Sequence, residues 1–148
     1  SRETVERYID LLEKSFVIFR LGGYSRNLRK EVSKMDKIYF YDLGIRNTII
    51  DNLKPLGERN DAGQLWENFL LIERTNMLSY LGISHSPYFW RLHTGAELDY
   101  VEERDGKIYG YEFKYNNKSP DPPKSWLETY PQSEYKTINK TNWLKFAK

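Results

Sequence analysis

Glu97-Leu98-Asp99-Tyr100-Val101-Glu102-Glu103-Arg104-Asp105-Gly106-Lys107-Ile108-Tyr109-Gly110-Tyr111-Glu112-Phe113-Lys114 reads as a β-hairpin. Asp105-Gly106 suits the two central positions of a type I′ turn, which both need positive φ, and the flanking runs are rich in Tyr, Val, Ile and Phe. A two-residue turn sets the register. Asp99 then falls opposite Glu112 and Glu97 opposite Lys114, all on one face, with Leu98, Tyr100, Tyr111 and Phe113 on the other. Cβ atoms of such a pair stand about 5 Å apart, and two carboxylates that close repel. A divalent cation would compensate, because converging hard oxygen ligands suit Mg²⁺ or Mn²⁺, and Lys114 adds positive charge on the same face. A plainer role for Lys114 is a cross-strand salt bridge to Glu97, which would quench the site only weakly.

Upstream, Tyr88-Phe89-Trp90-Arg91-Leu92 is a strand that turns at Thr94-Gly95 into the hairpin. Before it lies the longest helical pattern in the chain, capped by Asp61, running to about Tyr80 and stopped at Gly82. Leu65, Trp66, Phe69, Leu70, Ile72, Met77 and Leu81 make its buried face. That helix carries Glu67 and Glu73. Spacing at 100° per residue puts Glu73 inside the apolar arc and Glu67 at its margin, and a carboxylate among apolar side chains needs a partner or a metal. Either acid also reads as a snorkelling or capped surface residue. Downstream come a polar loop from Tyr115 to Pro120, a short helix around Ser125 to Tyr130, a strand at Tyr135 to Ile138, and an aromatic tail with Trp143 and Phe146. From Lys107 onward eight Lys oppose four acids, an excess that suits a polyanion or a solvated surface.

The N-terminal third has a different organisation. Ser1 caps an amphipathic helix with Val5, Tyr8, Ile9, Leu11 and Leu12 at helical spacing through about Lys14. Phe16 to Leu21, closed by Gly22-Gly23, and Lys37 to Tyr41 read as two strands, and Ile45 to Leu53 as a short helix broken by Pro55 and Gly57. The loop between the strands carries Arg26, Arg29, Lys30 and Lys34, with Lys37 at its end, against only Glu31 and Asp36. A helix followed by a ribbon with a basic tip has the form of the end of a winged-helix unit, whose wing would meet nucleic-acid phosphates. A solvated loop on an ordinary hairpin reads equally well. The expected division is a partial winged-helix segment at 1–55 and a second domain at 56–148.

Composition excludes several classes. With 23 basic and 21 acidic residues and 39% hydrophobic positions in 148 residues, the chain is a folded domain and neither a charged tail nor a coiled coil. Zero cysteines exclude disulfides and thiolate sites, and His85 and His93 alone make a poor zinc site. No leader, no apolar run of about 18 residues, no repeat and no G-x-x-x-x-G-K-[ST] phosphate loop is present, so a cytoplasmic location without a membrane partner is expected. The start at Ser1 without Met points to a piece of a longer protein.

Glu67 on a helix, then Asp99, then Glu112-Phe113-Lys114 after a hairpin spacing, resembles the PD-(D/E)XK nuclease pattern, with Leu98 in place of the Pro. That resemblance implies a restriction-endonuclease-like core, a mixed α/β fold (α+β sheet flanked by helices). In it Glu67, Asp99 and Glu112 would bind Mg²⁺ (or Mn²⁺), with Glu73 as the alternative helix acid, and Lys114 would position water and stabilise charge. More closely, Lys37-Ile38-Tyr39-Phe40-Tyr41-Asp42-Leu43-Gly44, Leu65-Trp66-Glu67-Asn68-Phe69, Tyr88-Phe89-Trp90-Arg91 with Glu97-Leu98-Asp99, and Glu112-Phe113-Lys114 resemble, in order, a C-terminal domain of unknown function attached to bacterial and archaeal AAA-type ATPases. The resemblance covers nearly the whole chain. It implies an ATPase module and the rest of a winged helix upstream.

Three functions follow as expectations. The first is metal-dependent phosphodiester hydrolysis on DNA, with Asp99, Glu112 and Lys114 as the catalytic set. The second is a silent nuclease-like module that docks nucleic acid or protein and controls the upstream ATPase. The third is an oligomerisation domain, for which four Trp and twelve Tyr would supply interface and core.

Overall fold

Asp105 and Gly106 take φ of 51° and 73°, the two left-handed positions of a type I′ turn, and the strands they join pair from Arg104↔Lys107 to Tyr100↔Tyr111. The register is the one the turn residues predict. Around this hairpin the computed structural model, which describes residues 1–26 and 29–148, builds a mixed α/β fold. In chain order its elements are α1 (Arg2–Lys14), β1 (Ile18–Gly23), β2 (Asp36–Phe40), α2 (Leu43–Ile49), a 3₁₀ turn (Leu56–Glu58) and α3 (Ala62–Tyr80). Then follow β3 (Ser86–Arg91), β4 (Glu97–Arg104), β5 (Lys107–Phe113), α4 (Lys124–Thr129), β6 (Glu134–Ile138) and α5 (Leu144–Ala147). The strands form one six-stranded mixed sheet in the order β2-β1-β3-β4-β5-β6, with β1–β3 and β5–β6 parallel. No helix among the described residues is long and apolar enough to cross a membrane.

Helices α3 and α5 cover one face, where Leu70, Leu71 and Phe146 pack on Leu21, Phe89, Tyr100, Tyr111 and Phe113. The short helix α4 covers the other, where Trp126 and Tyr130 pack on Trp90, Leu98, Val101 and Ile108. The four tryptophans therefore lie in or against these two cores. Leu98 and Tyr100 were expected to share a face and do not. The β3–β4 register shifts between Tyr88 and Trp90, a bulge that places the extra residue of β4 at Asp99-Tyr100 and reverses the alternation there. Leu98 consequently lies over Gly110, where a Cβ would stand 2.7 Å from Leu98 Cδ1 and 3.0 Å from Trp126 Cζ2. Gly110→Ala is expected to cost about 1–3 kcal/mol by overpacking. The loss should appear as a lower urea midpoint at unchanged slope.

The expected wing is not a free ribbon. β1 and β2 are the outer strands of the common sheet, because Gly22 and Gly23 pair with Tyr88 and Phe89, so the boundary expected at residue 55 divides no sheet. The connecting loop is tied down by Glu31, which is buried and accepts hydrogen bonds from Trp90 Nε1 (2.7 Å), Tyr130 O–H (2.5 Å), Ser25 O–H (3.1 Å) and Arg26 N–H (2.9 Å). At the outer edge, Asn68 of α3 stands in for a missing strand: its amide accepts from Phe40 N–H (3.0 Å) and donates to Phe40 C=O (2.7 Å). Asp61 sits at the start of α3 without making a side-chain cap. Arg59 and Arg46 hold its carboxylate instead and keep it well below the usual range.

Candidate functional site

The β4–β5 ladder stops at Tyr100↔Tyr111, two residues before β5 ends. One position past its last rung, the Asp99 carboxylate takes the place of a backbone partner and accepts from Phe113 N–H through Oδ2 at 2.7 Å. The bulge in β4 turns Asp99 out of the ladder and toward α3 and β2. Burial, then the charges of Glu67 and Glu112, push its carboxyl up to about 7, against the opposing pull of the Phe113 N–H and Lys37. An aspartate so displaced lies buried within Coulombic reach of two other acids, Glu67 and Glu112.

Glu67 approaches Asp99 from α3. It lies one heptad before the buried Arg74, on the stripe that also carries Leu71 and Leu78, so it faces the sheet. Glu73 falls on the flank shared with Trp66 and Phe69. The expected assignment of the wheel is thus reversed, because the buried arc is centred on Leu71, Arg74 and Leu78 and not on the aromatic side of the helix. Glu67 Oε1 accepts from the Tyr39 O–H and has Lys37 Nζ at 3.4 Å. Burial and then the Glu67 charge raise the Tyr39 phenol far above its usual value, so it acts here as a fixed donor.

Glu112 lies on β5 with Lys114 Nζ at 2.5 Å, while the Lys114 N–H continues the parallel ladder onto Ile138 C=O at 2.9 Å. Burial opposes the Lys114 ammonium, but the bond to Glu112 together with the charges of Glu112 and Asp99 more than offsets it and the group is raised. The expected Glu97–Lys114 bridge is absent. Glu97 pairs with Arg91 of β3 at 2.5 Å, since β4 past its bulge is laddered to β3 and no longer to β5. Hard carboxylate oxygens of this kind suit Mg²⁺ or Mn²⁺ by their chemistry, and a cation would relieve the like-charge crowding at Asp99. As they stand, no three such side chains among the described residues converge on one point, two of the acids being held by lysines.

Lys37 and Tyr39 were read as wing and strand residues; β2 alternation turns both toward α3. The buried pair of Arg74 with Glu102 was not anticipated either. Its sequence signal was a Glu in the apolar register of the hairpin together with an Arg in the apolar stripe of the helix. Of the basic loop residues, Arg26 lies 3.9 Å from Glu103, and Arg29, Lys30 and Lys34 are exposed.

A profile of the family described as Domain of unknown function (DUF4143) matches residues 62–145, more than half of the chain. The chain belongs to this family. The DUF4143 match contains Glu67, Asp99, Glu112 and Lys114, whereas Lys37 and Tyr39 fall in residues 1–56, matched by a second profile, Domain of unknown function (DUF8612). Two relatives, uncharacterized proteins Mb2031c of Mycobacterium bovis and Rv2008c of Mycobacterium tuberculosis, are each 31% identical over 116 residues. The matched part is 77% of this chain and 25% of theirs, so the chain spans about a quarter of the length of these curated relatives. No solved structure matches it significantly.

Proposed function

We propose that this DUF4143 chain is a restriction-endonuclease-like module, carried by an AAA-type ATPase in the cytoplasm, that hydrolyses DNA phosphodiesters with Mg²⁺ or Mn²⁺. The observation that carries this reading is that Asp99, at the open end of the β4–β5 ladder and pushed up to about 7, lies within Coulombic reach of Glu67 and of Glu112, which holds the Lys114 ammonium. Glu67, Asp99 and Glu112 would hold the ion, which when bound activates water and neutralises the scissile phosphate. The chain does the positioning. The Phe113 N–H orients Asp99, and the Tyr39 O–H orients Glu67. Lys114 supplies a preorganised positive charge beside developing negative charge. Arg26, Arg29, Lys30 and Lys34 would meet flanking phosphates, each contact making binding more salt-sensitive.

A silent docking module is the second reading, favoured by one observation: lysines already hold two of the three acids. Cleavage assays decide between them. Under the enzymatic reading Asp99→Asn lowers both Mn²⁺ binding, measured by calorimetry, and cleavage. Lys114→Ala lowers cleavage by roughly 10²-fold or more while metal binding is kept or tightened. A purified chain that binds no Mn²⁺ and nicks neither single-stranded, duplex nor branched DNA would overturn the enzymatic reading.

A further inference from the structure

The lysine excess that begins at Lys107 has no part in the site around Asp99 beyond Lys114. Two of its members, Lys136 on β6 and Lys145 on α5, line one cleft of about 280 Å³ together with Arg74 of α3 and Arg104 of β4. Both guanidiniums pair with a single carboxylate, the fully buried Glu102. Arg74 already meets both of its oxygens, Nε to Oε1 at 2.5 Å and Nη2 to Oε2 at 2.8 Å, so Arg104 is surplus to that bridge. One carboxylate balances one of two guanidiniums, and a positive charge is left over beside buried groups. Lys136 and Lys145 add two more, both exposed and without an ion pair among the described residues. The other acid that lines the cleft is the exposed Glu134. Four cations therefore stand against two carboxylates, and a cleft lined mainly by one sign of charge draws counter-ions into it. The guanidiniums are also fixed in place. Arg104 lies flat on Tyr109, its Cζ 3.9 Å from the ring centre, and Arg74 packs on Phe146 at 4.7 Å. A guanidinium held this way loses little freedom when its remaining N–H groups are taken up.

We propose that Arg104, Lys136 and Lys145, with Arg74, form a binding site for a phosphate dianion, free or terminal on a small molecule. The oxyanion balances the excess charge without a metal ion, and Arg104 offers the forked geometry that matches two phosphate oxygens. The cleft falls just below the roughly 300–1,000 Å³ of pockets that enclose a drug-sized ligand, so it takes the phosphate group and leaves its carrier outside. None of Glu67, Asp99, Glu112 or Lys114 lines it, and neither the site nor its test rests on the nuclease-like reading.

Calorimetry on the 148-residue chain, at constant ionic strength and without divalent ions, tests this with inorganic phosphate, thymidine 5′-monophosphate and thymidine as probes. Wild type is expected to bind both phosphates and not thymidine. Arg104→Gln should weaken phosphate binding about tenfold, and Arg104→Lys, which keeps the charge and loses the fork, about threefold. Lys136→Gln combined with Lys145→Gln should also cost about tenfold. Glu134→Gln should act in the opposite sense and tighten binding by about twofold, since it removes a like charge from the cleft. Lys54→Gln, on an exposed loop, controls for loss of one surface charge and should change nothing. Arg104 also touches Glu102, so if its variants unfold, the paired lysine variant and Glu134→Gln carry the test. A nucleotide bound tenfold more tightly than inorganic phosphate supports the site with a carried phosphate as its ligand, and equal affinities support it with the free ion. The proposal is overturned if wild type binds neither phosphate at millimolar concentration, if the cleft variants weaken binding no more than Lys54→Gln does, or if thymidine binds as tightly as its monophosphate.

Discussion

At pH 8 and without metal, Asp99→Asn is expected to be more stable than the wild-type chain. Asp99 is pushed up to about 7 in the folded protein, first by burial and then by Glu67 and Glu112, from an ordinary value near 4 in the unfolded chain. Between those values the folded state binds more protons than the unfolded state. Stability therefore falls as pH rises from about 4, and the loss is complete above about 7. The full effect is at most roughly 4 kcal/mol, less whatever the pocket recovers by relaxing. Asn removes the charge, and its amide oxygen can still accept from Phe113 N–H, so the variant should lose this pH dependence while matching wild type near pH 4. Urea melts across pH 4–9 on metal-free protein read both curves. Wild-type stability that stays level from pH 5 to 8, or a variant weaker at pH 8, would refute the description of Asp99 as buried beside two like charges. Saturating Mn²⁺ should then reverse the order of the two proteins at pH 8, because an ion that binds only the folded state stabilises it.

Arg74→Met is expected to cost about 3 kcal/mol or more. Glu102 is fully buried and receives Arg74 through two parallel bonds, Nε–Oε1 at 2.5 Å and Nη2–Oε2 at 2.8 Å, while Nη1 donates to Phe146 C=O at 2.8 Å. Removing one partner of a buried pair usually costs about 3–5 kcal/mol because the other charge is left uncompensated. Arg104, whose Nε lies 3.0 Å from Glu102 Oε2, keeps the value toward the lower end. The loss is large against the 5–15 kcal/mol typical of a domain. Adding Glu102→Gln should recover part of it, and the double-mutant cycle measures that coupling. Equal and additive losses from the two single variants would show that the pair does not act as a unit.

The hairpin was legible from its turn as far as Tyr100↔Tyr111, because Asp105-Gly106 admits one turn type and therefore one register, but the expected pairings of Asp99 with Glu112 and of Glu97 with Lys114 lie beyond the last rung. The long helix was legible for a similar reason, its apolar period being local. The bulge at Asp99 was not, since it arises where β4 parts from β5 while staying paired with β3, and nothing within eighteen residues of hairpin announces a third strand. That single event moved Leu98 to the other face and removed the expected Glu97–Lys114 bridge. The helix acids were inverted because Trp66, Phe69 and Ile72 weigh heavily in any hydropathy count. The observed buried stripe also contains Asn68 and Arg74, each satisfied by a partner far away in sequence. For the same reason β1 and β2 resembled a wing: a parallel pairing of Gly22 with Tyr88 leaves no trace in either segment.

That parallel pairing also governs how the gene can be cut. A fragment beginning at residue 62, where the longer family match starts, would present β3 as a bare edge along the positions that Gly22 and Gly23 cover. It would lose the donor on Glu67 and the plug that Asn68 places on Phe40. Exposed edges of this sort recruit other strands, so such a fragment should aggregate more readily than residues 1–148. Exchange between homologues faces the same constraint: a recipient given only one of the two matched stretches would inherit half a sheet.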